Sequence, residues 1–213
     1  MALTLYLLRH GQTVASASHL FCGARTDIAL TADGVAMAEA FAAAYKGVRW
    51  AGVYCSPQQR ARATAAPLAA ACGIEPEISE DLREIDYGAW EGLTVEETDR
   101  RFHDQYVAWT ADPAWNPPTN GETAVALGAR VTRVVETVKK THADGDVLIV
   151  SHKATLRVLL CTLLGIDVGR FRSRLDCPTA SVSVVEFATH GPLLKVLADR
   201  SHLGMRLREL PGT

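Results

Sequence analysis

The sequence predicts an α/β protein: a three-layer sandwich whose mostly parallel, doubly wound sheet has five to six strands, including an antiparallel edge strand. Three observations lead there. Short apolar runs without strict alternation read as strands covered on both faces. These runs alternate with longer helical patterns, which favours parallel pairing through right-handed crossovers. Finally, 213 residues with 48% hydrophobic side chains can bury one sizeable core, so a single domain over residues 1–213 is expected.

In chain order, strands are expected at residues 4–8, 52–55, 147–150, 181–187 and 193–198, with a shorter one near 75–78. A helix over 31–45 is entered through Thr31 as N-cap, and one over 58–72 ends at Gly73. Two more run over 122–141 and over 154–164, the latter ending at Gly165. The last two strands are joined by the short turn ATHGP, which makes them a hairpin at the sheet's edge. Residues 81–121 break the rhythm with Trp90, Trp109, Trp115 and the turn-rich ADPAWNPPTNGE. This stretch reads as a helical and loop insertion roofing the active site, its tryptophans packing the roof.

A charged fraction of 22% and a formal net charge of −2 argue against a general grip on nucleic acid, so any anion site must be local. Cys22, Cys55, Cys72, Cys161 and Cys177 are odd in number, scattered and free of any CxxC spacing; they read as reduced thiols of a cytoplasmic protein. No signal-type N-terminus and no apolar run of ~18 residues is present, so no membrane partner is expected. A homodimer is left open.

In open α/β sheets, ligands bind beyond the carboxyl ends of the strands. Three segments directly follow strand patterns: LLRHGQT, in which Gly11 permits a tight turn; SPQQRARATA, in which Ser56 and Pro57 open a helix with Arg60 on its first turn; and VLIVSHKATLR, ending on His152. Two histidines and two arginines then converge. A neutral His10 imidazole can attack phosphorus where nearby cations suppress its protonation and hold the oxyanions. The guanidinium forks of Arg9 and Arg60 match phosphate oxygens. A protonated His152 would add charge at the equatorial oxygens.

The leaving alkoxide needs a proton. In DLREIDYGAWEG, Glu84 stands among Glu80, Asp81, Asp86 and Glu91, which spacing alone does not separate. Zinc would need a third ligand beside the two histidines and would be opposed by two arginines, so neither metal nor cofactor is expected. Arg62 faces elsewhere on the same helix.

These motifs resemble the histidine phosphatase superfamily, in its phosphoglycerate mutase-like family. Its RHG signature stands as Arg9-His10-Gly11, followed by Gln12 and Thr13, and its helix start as Ser56-Pro57, Arg60-Ala61 and Thr64-Ala65. Its acidic segment stands as Leu82, Glu84, Gly88, Trp90, Glu91 and Gly92, and its second histidine as Ser151-His152. The match runs from Leu5 to about Phe187.

The resemblance implies that His10 is the phosphorylated nucleophile, that Arg9, Arg60 and His152 complete the phosphate pocket, and that Glu84 is the proton donor. The activity implied is metal-independent hydrolysis of a phosphomonoester on a small phosphorylated metabolite. Substrate-side candidates are Gln12, Ser16 where many relatives carry Asn, the loop residues Phe21, Cys22 and Gly23, and Lys153 where many relatives carry Gly. His202, with Leu203, resembles a C-terminal His-Leu pair that some phosphatases place near substrate. His19, His103, His142 and His190 are expected on the surface or in loops. One alternative is a cofactor-dependent phosphoglycerate mutase, although glycolytic mutases usually carry a longer insertion between Glu84 and His152. The other is a non-catalytic phosphate-binding module, disfavoured because all five key residues are present.

Overall fold

The first strand, β1 (Leu3–Arg9), sends Leu5 and Leu7 to one face and Leu8 to the other, and all three are fully buried. In the computed structural model, which describes residues 2–211, five strands join it: β2 (Trp50–Cys55), β3 (Glu77–Ile78), β4 (Gly145–Ser151), β5 (Val182–Ala188) and β6 (Gly191–Asp199). Met1, Gly212 and Thr213, which the expected domain 1–213 includes, lie outside the described residues. The strand order is β3-β2-β4-β1-β5-β6. β1 to β4 run parallel, while β5 runs against both β1 and β6, so the antiparallel element is a hairpin at one edge.

The helices are α1 (Val14–Ala17), α2 (Ala32–Tyr45), α3 (Gln59–Cys72), α4 (Val95–Ala111), α5 (Ala124–Thr141), α6 (Lys153–Leu164), α7 (Phe171–Arg174) and α8 (Met205–Arg208). Residues of α5 and α6 pack with Leu5, Leu7, Val147 and Ile149. On the opposite face, Phe41 of α2 and Ala61, Ala65 and Leu68 of α3 pack with Leu8, Val53, Leu148 and Val150. Each fully buried Leu, Ile or Val contributes about 1.5–3 kcal/mol, so a strand apolar on both faces is stable only when helices cover both. The result is a doubly wound three-layer sandwich.

Local signals set the helix ends. The Thr31 hydroxyl accepts from the Gly34 N–H at the start of α2, and Gly73 and Gly165 end α3 and α6 with φ of 66° and 69°. The helix expected from residue 122 begins at Ala124, because the Thr123 hydroxyl accepts from the Ala126 N–H and acts as the cap. The expected short strand narrows to the two residues of β3.

Within residues 81–121, α4 follows a 3-10 turn at Gly88–Trp90. Trp90 and Trp109 are buried in one cluster with Phe21, flanked by Tyr87 and Tyr106. Trp115 does not share this role: it is 70% exposed on the outside of a turn whose neighbouring Ala114 points inward. No helix among the described residues is long and apolar enough to cross a membrane, and all five cysteines are free.

Candidate active site

β1 and β4 end level with each other. Arg9 pairs with Ser151, and the His10 N–H donates to the Ser151 carbonyl across 3.0 Å. Each strand therefore releases its histidine at the same place, and the His10 and His152 rings lie 5.2 Å apart between centroids. This is the switch point of the sheet, where the chain leaves β1 toward β2 on one side and β4 toward β5 on the other. The turn after β1 requires glycine, since a Cβ on Gly11 would lie 2.4 Å from the Gly34 carbonyl oxygen of α2.

A cavity of about 330 Å³ opens at this point, large enough for a small metabolite. His10, Arg9, Arg60 and Glu84 line it. The His10 Nδ1 lies 2.7 Å from the Gly11 carbonyl oxygen, which only accepts, so Nδ1 carries the proton and Nε2 keeps a lone pair. Burial, then the charges of Arg60 and Arg9, hold the His10 pKa well below its ordinary value and keep the ring neutral.

Arg60 is fully buried on the first turn of α3. Its Nη1 donates to the Thr26 carbonyl (2.8 Å), its Nη2 to the Gly23 carbonyl (3.3 Å), and its Nε to Nδ1 of His152 (3.2 Å). The His152 Nε2–H then donates to the Ser56 hydroxyl across 2.7 Å. His152 is thus a neutral ring orienting Arg60. Burial and the Arg60 charge hold its pKa well below the ordinary value, so the charge that a protonated ring would add at the equatorial oxygens is not in place here. Arg9 is also buried, and its Nη1 donates to the Cys177 carbonyl across 2.7 Å.

Glu84 is the only carboxylate on the cavity wall among the described residues. Its rivals are occupied elsewhere: Glu80 pairs with Arg83, Asp81 with Arg133 and Asp86 with Arg25, while Glu91 accepts from the Thr26 hydroxyl. Glu84 caps the start of α6. Its Oε1 accepts from the N–H groups of Ile85 (2.9 Å) and Thr155 (3.1 Å) and lies 3.0 Å from the Thr155 hydroxyl. Among the described residues its Oε2 accepts only from the Ala154 N–H, at 3.1 Å, and so keeps a lone pair for a proton.

The substrate-side candidates divide. Phe21, Cys22, Ser16 and Lys153 line the cavity. The Ser16 hydroxyl, however, is folded back on Thr13, accepting from its N–H (2.9 Å) and donating to its carbonyl (2.9 Å), which caps α1. Gln12, Gly23 and His202 do not line it. The Gln12 amide donates to the Pro211 carbonyl (2.7 Å) and accepts from the Thr31 hydroxyl (2.9 Å), tying the C-terminal segment to α2. Gly23 lies so close to the roof loop that a Cβ would sit 2.4 Å from the Ile85 carbonyl oxygen, and its own carbonyl serves Arg60. The His202 ring packs edge-on against Phe41 and Tyr45 of α2, because Leu203 beside it is drawn into a cluster with Met37 and Leu207.

Several contributors escaped the sequence reading. His19, expected as a bystander, lines the cavity, as do Tyr87, Arg157 and Arg172. Gln58 receives the Glu84 N–H on its Oε1 (3.0 Å) and donates to the Gly23 carbonyl (2.9 Å), joining the two loops. Arg130 of α5, paired with Glu122, donates to the carbonyls of Asp81, Arg83 and Glu84 at 2.7, 2.8 and 3.0 Å and so fixes the Glu84 segment. The apolar face of α5, buried from Ala124 to Val138, is what its sequence pattern shows; a lone arginine on such a helix reads as solvated.

A family model described as histidine phosphatase superfamily (branch 1) matches residues 5–200. Phosphoserine phosphatase 1 of Hydrogenobacter thermophilus is 32% identical over 152 residues, covering 71% of this chain and 72% of its own. The adenosylcobalamin/α-ribazole phosphatase of Escherichia coli is 30% identical over 200 residues, covering 92% and 96%. The crystal structure of the α-ribazole phosphatase from Shigella flexneri superposes with a TM-score of 0.85 at 28% identity, covering 95% of this chain and 99% of that one.

Proposed function

The chain belongs to the histidine phosphatase superfamily, and from that premise we propose that it works as one catalytic domain, hydrolysing the phosphomonoester of a small metabolite through a phosphohistidine at His10. The observation that carries this is the His10 tautomer: a neutral ring, protonated on Nδ1 toward Gly11, beside two buried guanidiniums. Such a group is a nucleophile with its charge acceptors already in place.

In the first step Nε2 of His10 forms a bond to phosphorus as the ester P–O bond breaks. Arg9 and Arg60 hold the equatorial oxygens, and Glu84 delivers a proton from Oε2 to the departing alkoxide. His152 keeps Arg60 in position for those oxygens, its Nδ1 accepting from the guanidinium while Ser56 holds its Nε2–H. In the second step water gives a proton to Glu84 and attacks phosphorus, the P–N bond breaks, and His10 returns neutral with inorganic phosphate released. Glu84 ends protonated, ready for the next cycle.

The named relatives are phosphatases, which favours water over a second hydroxyl as the acceptor. Phosphoserine and α-ribazole phosphate are therefore worth testing as substrates. The five free thiols and the absence, among the described residues, of a helix able to cross a membrane fit a cytoplasmic protein.

The test is a screen of phosphorylated metabolites and phenyl phosphate, with and without chelator and with 2,3-bisphosphoglycerate. Phosphate release that ignores chelator and vanishes in His10→Ala is expected. Isomerisation that depends on the bisphosphate, without phosphate release, would overturn the hydrolase in favour of a mutase; no turnover at all would leave a binding module.

A further inference from the structure

The cavity holds more positive charge than one phosphoryl group requires. Arg9, Arg60, Lys153, Arg157 and Arg172 line it, against the single carboxylate of Glu84 among the described residues. Arg9 and Arg60 flank the nucleophile. The other three arrive from α6 and α7, on the roof side, and their surroundings assign them different tasks.

Arg157 is a brace. Its Nε donates to the Leu175 carbonyl (2.5 Å) and its Nη2 to the Arg172 carbonyl (2.8 Å), pinning the short helix that carries Arg172. Arg172 is an oriented cation. Its guanidinium carbon sits 4.0 Å from the centre of the Trp109 ring, and the Tyr106 hydroxyl takes one of its N–H groups, so the plane is held and the other N–H groups remain as the polar edge. Lys153 begins α6 directly after His152, is half-buried on the cavity wall, and has no carboxylate in ion-pair contact among the described residues.

Lys153 is faced by Arg9 of β1, by Arg157 one turn on in α6, and by Cys177 and Asp176 in the segment after α7. Burial, with the Arg9 and Arg157 charges, lowers its pKa to about 8. An ammonium so placed is destabilised by desolvation and like charge, and a bound anion would relieve both. Two cations that line the same cavity as Arg9 and Arg60, neither in an ion pair among the described residues, suit a ligand that carries a second anionic group.

We propose that Lys153 and Arg172 form a second anion subsite, and that the preferred substrates are small phosphomonoesters bearing a further carboxylate or phosphate. This rests on the hydrolase reading above. The shared chemistry is a cluster of anionic oxygens, and matched substrates separate the two sources.

The experiment compares kcat/KM of the full chain for propyl phosphate, 3-phosphooxypropanoate and propane-1,3-diol bisphosphate, with phenyl phosphate as a reference. The wild type is expected to favour at least one of the two doubly anionic esters over propyl phosphate by tenfold or more, chiefly through KM. Lys153→Met and Arg172→Gln should each cut that ratio severalfold, and Lys153→Arg should restore most of it, which a merely structural lysine would not do. Whichever ester shows the preference names the carboxylate or the phosphate. A wild-type ratio near one, or a ratio unmoved in both variants, would overturn the subsite and leave the hydrolase standing. Turnover of none of the four esters would overturn the hydrolase and the subsite together.

Discussion

The Nδ1–H of His10 donates to the carbonyl of the very next residue, Gly11, across 2.7 Å. A backbone carbonyl cannot donate, so this contact fixes the tautomer. The glycine is also the residue that lets α2 close on the turn. The RHG turn thus sets the nucleophile and the packing at once.

The first consequence is a pH profile. The His10 pKa is pushed below its ordinary 6.5, first by burial and then by Arg60 and Arg9, so the ring stays competent as pH falls through that value. Once corrected for the substrate's own ionisation near pH ~6, kcat/KM should hold level down through pH 6.5 before its acid limb begins. Arg60→Gln should move the His10 titration, followed by NMR, upward. Fold stability carries the same sign. The unfolded chain takes up protons at His10 and His152 that the folded chain refuses, so stability to urea declines as pH drops below 6.5.

Glu84→Gln removes the proton donor and keeps an acceptor oxygen for the Ile85 and Thr155 N–H groups, giving up only the bond from the Ala154 N–H, which an amide nitrogen cannot accept. For alkyl phosphates kcat should fall by about 10²–10⁴-fold. Aryl phosphates, whose leaving groups need little protonation, should lose far less. Equal losses for both would argue against Glu84 as the acid.

Arg130 does not line the cavity, yet it holds the carbonyls of Asp81, Arg83 and Glu84. Arg130→Met should therefore lower kcat for alkyl phosphates by about 10–10²-fold through misplacement, with KM little changed. Combined with Glu84→Gln, the double variant should be scarcely slower than Glu84→Gln alone, since both act on one step. Full additivity would place Arg130 elsewhere in the mechanism.

Gly11→Ala drives a methyl group into the backbone of Gly34. Overpacking of this kind costs about 1–3 kcal/mol, to be read from urea denaturation. A variant as stable as wild type would mean that α2 can yield and that the glycine answers to catalysis alone.

The centre of the sheet was legible because β1 and β4 are short and apolar on both faces, and the helix ends because Thr31, Gly73 and Gly165 carry local signals that tertiary contacts do not override. Arg9, His10, Arg60 and His152 stood out because each sits at a strand end or a helix start, whereas Glu84 was singled out from its neighbouring carboxylates only by the family resemblance. Gln12 and His202 were misread for a different reason. Both are polar residues near motif positions, but what they touch is decided by the route of the C-terminal segment across α2, a contact between residues 12 and 211 that no local pattern encodes. Arg157 and Arg172 were missed because the roof is built from α7 as well as from residues 81–121, and the cavity wall they share exists only after folding.

The central claim is the covalent bond between phosphorus and His10 Nε2. Rapid acid-free quenching during turnover of phenyl phosphate, followed by peptide mass mapping, should find one acid-labile, base-stable phosphate, on His10, and none in His10→Ala. Turnover with no phosphorylated enzyme at any time, or phosphate on another residue with His10→Ala still active, would contradict the account.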